Sequence, residues 1–436
     1  MKLNNKGFAI SSIIYISLTL FLILIMALLA MMGSRKAILD KIRKDAYVGV
    51  NGTIGNNVDS DQPLDIAFPS LTDNMIPVVY SPTGIPLKAD TKGGINNNWY
   101  NYKQSKWANV VLVKENGKKT REYYKTSAPG TIISSNDILA YFVWIPRYSY
   151  AVDSVNKKIN INFENKNVGV KSGTGKGEDY YTHPAFTFYD GFRYNKLNGI
   201  WVGKFASSKL DEEIPTGDPK ITILPAKASL IMLSAKDMLV YSRQMELNNN
   251  IYGFLNNGTV LNTNGTIASD SNNFDTHVLK SLEYGALALL SQSQYGKNSE
   301  ISPYYTGGIP YTGGGTGLEY LTDPNRSSTG NIYGVYDMVS PGGELVMGYR
   351  KTAAGVGSIY SINEIYFNKY DGTCIKGDAT RSDNLTPWQT LDTTHYESIK
   401  DDHYYLRGKD SVFSYLPTSG AADSGVGFRV SLVIWE

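Results

Sequence analysis

Few residues in this chain have a type and spacing that could carry covalent or metal chemistry. Cys374 is the single cysteine, which excludes any internal disulfide. The four histidines, His183, His277, His395 and His403, show no zinc-ligand spacing. Asp59, Asp61 and Asp65 alternate as calcium ligands can, but the glycine and terminal glutamate of an EF-hand loop are missing. No Gly-x-Ser-x-Gly elbow, phosphate loop or dinucleotide fingerprint occurs. These residues predict neither a metal nor a cofactor, and no enzymatic activity. A net charge of +2 leaves no large basic face for nucleic acid. The composition favours contact instead. With 32 Tyr and 42 Gly but only 19% charged residues, it suits Gly/Asn turns between Tyr-bearing strands of an extracellular β-rich domain. Tyrosine supplies large contact area at low entropic cost.

The elements that must position these residues begin with an apolar run. No charged residue occurs over 8–32, and about 20 apolar residues suffice for a membrane-crossing helix. Ile38, Ile42 and Ala46 recur every four residues beyond it and Asp40 can pair with Lys44. The spacing therefore predicts one continuous helix over 8–46. Residues 47–74 are rich in Gly, Asn, Asp and Pro without periodicity and read as a linker. A small β module is expected over 75–135, with a hairpin in which Trp99 and Trp107 flank a polar turn. The head, 136–436, opens with apolar, β-branched runs at 141–145 and 200–205, which predict buried strands. A helix is expected from Ser234, an N-cap with Asp237 three residues on, with Met238, Tyr241 and Met245 on one face. Leu279, Leu282, Ala286, Leu287 and Leu290 predict a second helix over 276–295.

Two resemblances add to this reading. The leader of residues 1–7, ending Lys6-Gly7 before Phe8 and the apolar run, resembles that of type IV pilins and pseudopilins. It implies a bacterial source, cleavage between Gly7 and Phe8 by a prepilin peptidase, and other pilin subunits as partners. The glutamate that the family carries at the fifth mature position is Ser12 here, which points to a filament tip or a non-polymerising role. Five basic residues after the span, Arg35, Lys36, Lys41, Arg43 and Lys44, outnumber Lys2 and Lys6 before it. That count alone would place the head in the cytoplasm, but long domains translocate largely regardless of flanking charge. The expected location is the cell membrane, single-pass through residues 8–32, with the large C-terminal domain extracellular. The lack of disulfides suits a Gram-positive envelope.

The second resemblance lies in the head. Asp137–Arg147 (DILAYFVWIPR), Asn198–Lys204 (NGIWVGK), Asn331–Met338 (NIYGVYDM) and Gly427–Val430 (GFRV) occur in the order found in the C-type lectin-like domains of the formylglycine-generating, sulfatase-modifying type. The resemblance implies a twisted antiparallel sheet under two helices. That family's oxidation of a substrate cysteine uses a pair of active-site cysteines holding copper, and thiolate pairs suit Cu(I); Cys374 alone does not supply one. Asp337 and Glu344 are expected to be structural, satisfying backbone amides at a tight turn. In such folds the segment before the final strand forms the ligand face. Region 368–426 is long and rich in Tyr, Trp, Asp, Ser and Thr, and aromatics on such a face make binding hot spots. Trp388, Tyr396, Tyr404, Tyr405 and Arg407 are the candidate ligand contacts.

The fold class expected is α+β: a long N-terminal transmembrane helix, a small β module and a C-type lectin-like head. The function expected is a pilin-like surface protein whose catalytically silent head binds a protein or glycan ligand, as in adhesion. The alternatives are a minor pseudopilin serving assembly of a pilus or secretion filament, and an enzyme of the sulfatase-modifying family.

Overall fold

The computed structural model describes residues 65–92, 98–115, 119–167, 180–210, 220–247, 251–255, 273–303, 311–350, 362–370, 374–381, 388, 391–392 and 402–435. All belong to one compact unit, Gly55–Glu436. In chain order its strands are β1 (Ile76–Tyr80), β2 (Pro86–Lys88), β3 (Asn109–Val113), β4 (Ile138–Pro146), β5 (Tyr148–Asp153), β6 (Lys158–Phe163), β7 (Tyr181–Thr182), β8 (Thr187–Tyr189), β9 (Tyr194–Lys196) and β10 (Gly199–Gly203). They continue with β11 (Ser208–Lys209), β12 (Ile221–Thr222), β13 (Phe274–Val278), β14 (Glu344–Arg350), β15 (Asn368–Tyr370), β16 (His403–Arg407), β17 (Tyr415–Thr418), β18 (Gly427–Phe428) and β19 (Val430–Ile434). The helices used below are α1 (Arg121–Thr126), α2 (Ala235–Arg243) and α3 (Ser281–Gln292).

The main sheet runs β13-β19-β10-β4-β3-β1-β2, with every neighbouring pair antiparallel. Its centre is β4, whose nine residues, ILAYFVWIP, are all buried. A strand covered on both faces reads as a continuous apolar run rather than an alternation. Here Trp144 of β4 lies 5.0 Å from Trp201 of β10 between ring centroids. A second sheet orders β15-β14-β16-β17, with β18 beside β14. The hairpin β8–β9 stands apart as a two-stranded ribbon.

The expected fold class is corrected. The described residues are mainly β-sheet with few and short helices, and among them no helix is long and apolar enough to cross a membrane. The leader 1–7, the helix over 8–46, Gly7, Phe8, Ser12 and most of the linker lie outside the described residues. The expected single-pass anchor through residues 8–32, the cell-membrane location and the pilin-like organisation built on them thus find no support in the described structure. The expected boundary near 135 also gives way: β3 pairs with β4 along its whole length. Residues 75–135 are thus the outer strands of the main sheet rather than a separate module. Trp99 and Trp107 are fully buried and flank a short 3-10 turn, Tyr102–Gln104.

The helix from Ser234 forms as expected, its end closed by a capping box with Asp237. The second helix is shorter than its periodicity suggested. Its first residues are taken by β13, which pairs with β19, and α3 starts at Ser281. All twelve residues of α3 are buried, as expected of a helix apolar on every side. Gly285 on it is needed for space, because a Cβ there would sit 1.9 Å from the carbonyl oxygen of Gly377. Helix and loop backbone touch at that point.

Candidate functional site

Four of the five sequence-predicted ligand contacts lie inside the protein. Arg407 is fully buried on β16, and its guanidinium donates to three carbonyls: Nε to Ser414 at 3.0 Å, Nη1 to Asp378 at 2.9 Å and Nη2 to Ala379 at 3.0 Å. It also lies over the Tyr284 ring of α3. Tyr404 and Tyr405 are buried on the same strand, packed edge-on against Tyr349 and Tyr370 respectively. Trp388 is 7% exposed and meets Phe413. These four candidates are core residues: Tyr404, Tyr405 and Arg407 of the inner strand β16 are covered by Tyr349, Tyr370 and Tyr284, and Trp388, outside that strand, by Phe413. Tyr396 lies outside the described residues.

What Arg407 and its neighbours do is hold the loop 374–381. The Asp392 carboxylate accepts from the amides of Gly377 at 2.7 Å and Ala379 at 3.1 Å and from the Tyr150 hydroxyl. Asp378 accepts from Tyr370 and, at 2.9 Å, from the Ile375 amide. His183 bonds the Gly377 carbonyl at 2.8 Å, and burial pushes its imidazole down to about 3, so it stays neutral. Burial raises Asp378 to about 6 against the pull of Tyr370 and Arg407, and Asp392 is raised for the same first reason. The half-buried Cys374 thiol is pushed up by burial and then by Asp378 and Asp392. A thiol held protonated is a poor nucleophile.

A second buried group joins the motifs at 331–338 and 427–430. Arg429 donates through Nη1 to Gly203, through Nη2 to Tyr336, and through Nε to Glu344 at 3.2 Å. Asp337 adopts a left-handed φ of 65° and accepts from the amides of Ala206 at 3.0 Å and Gly313 at 2.7 Å. Both acids serve the structure. Burial raises Asp337 to about 6 and raises Glu344 despite Arg429. The small cavity beside them, lined by Ala206, Ser229, Asp337, Ser340 and Glu344, has room for about one water molecule. Among the described residues no group of three or more His, Cys, Asp or Glu is placed to hold a metal.

Lys204, at the end of the NGIWVGK motif, is buried without an acidic partner. Its ammonium donates to Asn109 Oδ1 and to the carbonyls of Ile332 and Gly334, and burial drives its pKa well below the ordinary value. Lys204→Met should therefore leave two buried carbonyls without their donor and cost about 2–3 kcal/mol. Urea unfolding of the variant checks this, and a loss within error would show that water replaces the amine.

The feature that faces outward is the β8–β9 hairpin, which the sequence reading passed over. Thr187 pairs with Lys196 and Tyr189 with Tyr194, so these four share the exposed face while Phe188 and Asn195 point inward. Phe192 at the tip is 93% exposed and Tyr194 is 76% exposed. The Tyr189 and Tyr194 rings lie 4.8 Å apart between centroids. The turn itself is tightly bonded. Asp190 Oδ1 accepts from the amides of Phe192 and Arg193, each at 2.9 Å, and Oδ2 from Asn195 Nδ2 at 2.9 Å. Tyr189 donates its hydroxyl to Gly191 O at 2.9 Å. Gly191 turns the chain at φ 97°, a conformation open to glycine. The foot is fixed as well: Phe188 stacks on Trp435 at 5.0 Å and on His277 at 5.9 Å. The signal available in the sequence was an Asp-Gly turn between alternating aromatics, TFYDGFRYNK.

No protein-family model matches the chain, and no curated protein is significantly similar to it.

Proposed function

We propose that this protein is a binding protein that works by surface contact and not by covalent catalysis, with the β8–β9 hairpin as its contact element. The observation that carries the reading is the display of Phe192 and Tyr194, 93% and 76% exposed, on a turn locked by its own hydrogen bonds. Large exposed aromatics on a rigid support make binding hot spots, since little conformational freedom remains to be lost on contact. The shifted acids and the buried lysine and arginines support it too, because each is engaged in holding backbone segments together. Adhesion is the broad class that such an element serves.

The test compares the full chain with Phe192→Ser/Tyr194→Ser for binding to intact bacterial and host cells. Both side chains are outside the core, so the melting temperature should stay put and stability change by no more than about 0.5 kcal/mol. Retention on cells should fall roughly tenfold or more, as two lost hot-spot contacts require. Equal retention of both chains would remove the hairpin from the binding reading.

A further inference from the structure

We infer that the β8–β9 hairpin is a peripheral membrane contact, with Phe192 entering the headgroup–acyl boundary of an anionic lipid surface and Arg193 and Lys196 on its phosphates. This deepens the proposed function and rests on the hairpin being the contact element. Four observations carry it.

The first is the state of the backbone at the tip. The amides of Asp190, Phe192 and Arg193 and the carbonyls of Gly191 and Arg193 bond within the hairpin, which leaves the Gly191 amide and the Asp190 and Phe192 carbonyls to the hydrated headgroup layer. A segment entering lipid must satisfy its own polar groups, since the acyl region offers none in exchange. The second is the order of side chains. The purely apolar Phe192 is the most exposed of the hairpin's aromatics, and the two tyrosines, each with an apolar ring and a polar end, sit behind it. That is the arrangement in which aromatic side chains partition at membrane–water interfaces.

The third is charge. The Arg193 side chain is 68% exposed and Lys196 is exposed, whereas the Asp190 side chain is 15% exposed with both oxygens occupied by the turn. The acid faces inward and the bases outward, so the hairpin meets a bilayer as a cationic tip, and anionic headgroups attract each such residue. Arg193 lies 3.6 Å from Asp190 and can swing to a phosphate without breaking the turn. The fourth is the foot: Phe188, stacked on Trp435 and His277 with the Lys280 ammonium 4.8 Å from its ring centre, fixes the hairpin to the core. Insertion therefore needs no refolding.

The experiment places an environment-sensitive fluorophore on the full chain in a Cys374→Ser background. One sample carries it at Phe192→Cys and the other at Val155→Cys, a site 83% exposed in the β5–β6 turn. Each is titrated with vesicles of phosphatidylcholine alone or with about one-third phosphatidylglycerol. Because the signal is local, it reports on position 192 however other parts of the chain behave. Emission at 192 should shift to the blue and rise roughly twofold with the anionic vesicles. It should respond less to neutral ones and relax in high salt, while position 155 stays unchanged. Arg193→Glu/Lys196→Glu beside the label should abolish the response. Should the Cys374→Ser chain not fold, the comparison is made with Cys374 kept, its label common to both samples. No response at 192, or an equal response at 155, overturns the lipid contact. If cell binding still depends on Phe192 and Tyr194 in that event, the binding reading stands with a protein or glycan as the ligand. If it does not, both fall.

Discussion

Arg429→Ala is expected to cost about 3–5 kcal/mol of folding stability, the loss typical of breaking a buried ion pair from one side. Arg429 is fully buried and its guanidinium is shared among the Glu344 carboxylate and the carbonyls of Gly203 and Tyr336. It thereby ties β10 and β14 to the segment that enters β19. Alanine leaves a carboxylate in a site from which water is excluded, where burial already pushes Glu344 upward. Two carbonyls lose their donor at the same time. Glu344→Gln should lose less, because the amide oxygen still accepts from the guanidinium. A double variant, Arg429→Met/Glu344→Met, should recover part of the loss, since apolar replacement of both partners removes the uncompensated charge. Urea unfolding of these variants, with Arg429→Met and Glu344→Met alone to close the cycle, measures the coupling. A single-variant loss below about 1 kcal/mol would mean that the site is wet and the pair incidental.

Stability should peak in mildly acidic solution and fall by several kcal/mol toward neutrality. Asp337 and Asp378 are raised by burial to about 6. The folded chain therefore holds protons there that the unfolded chain releases near about 4. Their contribution is complete below about 4 and is lost as pH rises through about 6, about 3 kcal/mol for each group at 1.36 kcal/mol per pH unit. His277 acts in the same direction. Burial alone would lower it, but Glu283, at 3.0 Å, and Asp275, at 2.6 Å, raise it. Its contribution is present below about 6.5 and is lost as pH climbs through the raised value. The acid limit comes from the partners of that imidazole. Burial pushes Glu283 up, but His277 and Lys280 more than offset it and hold it at about 2, while Arg243 and His277 lower Asp275. Those two contributions exist above about 4 and are lost as pH falls below it, that of Glu283 through about 2. The maximum thus lies at about pH 4, with a continuous fall from there to about 6. Denaturant unfolding at pH values spanning this range checks the sign, and stability that rises steadily from pH 5 to 8 contradicts it.

The parts of the fold legible in the sequence are those set by local pattern. The β4 run, the GIWVG strand and the capped helix at Ser234 each carry their own signal in continuous apolar residues or in an N-cap with its partner three residues on. The hairpin was legible too, in the Asp-Gly turn between Tyr189 and Tyr194, but a turn signal does not say which of its aromatics meets water. The second helix shows where pattern runs out. The helix expected from its apolar spacing begins at residue 276, yet 276–278 pair with β19, and partners more than 150 residues away in sequence decided the outcome.

Burial was the largest matter left to the tertiary structure. Trp388, Tyr404, Tyr405 and Arg407 have the residue types of a contact surface, and they became core because Phe413, Tyr349, Tyr370 and Tyr284, brought from elsewhere in the chain, pack over them. Phe192, which by type belongs inside, is held in solvent by a turn that spends its polar groups on itself. By itself the sequence determined the poverty in cysteine, the low charge and the strand-and-turn vocabulary of a β-rich domain. Which aromatics face out, and which acids, lysine and arginines are locked within, was decided only when distant strands paired. Hydrogen-bond satisfaction and exclusion of water act on the assembled sheet, not on the residues in their chain order.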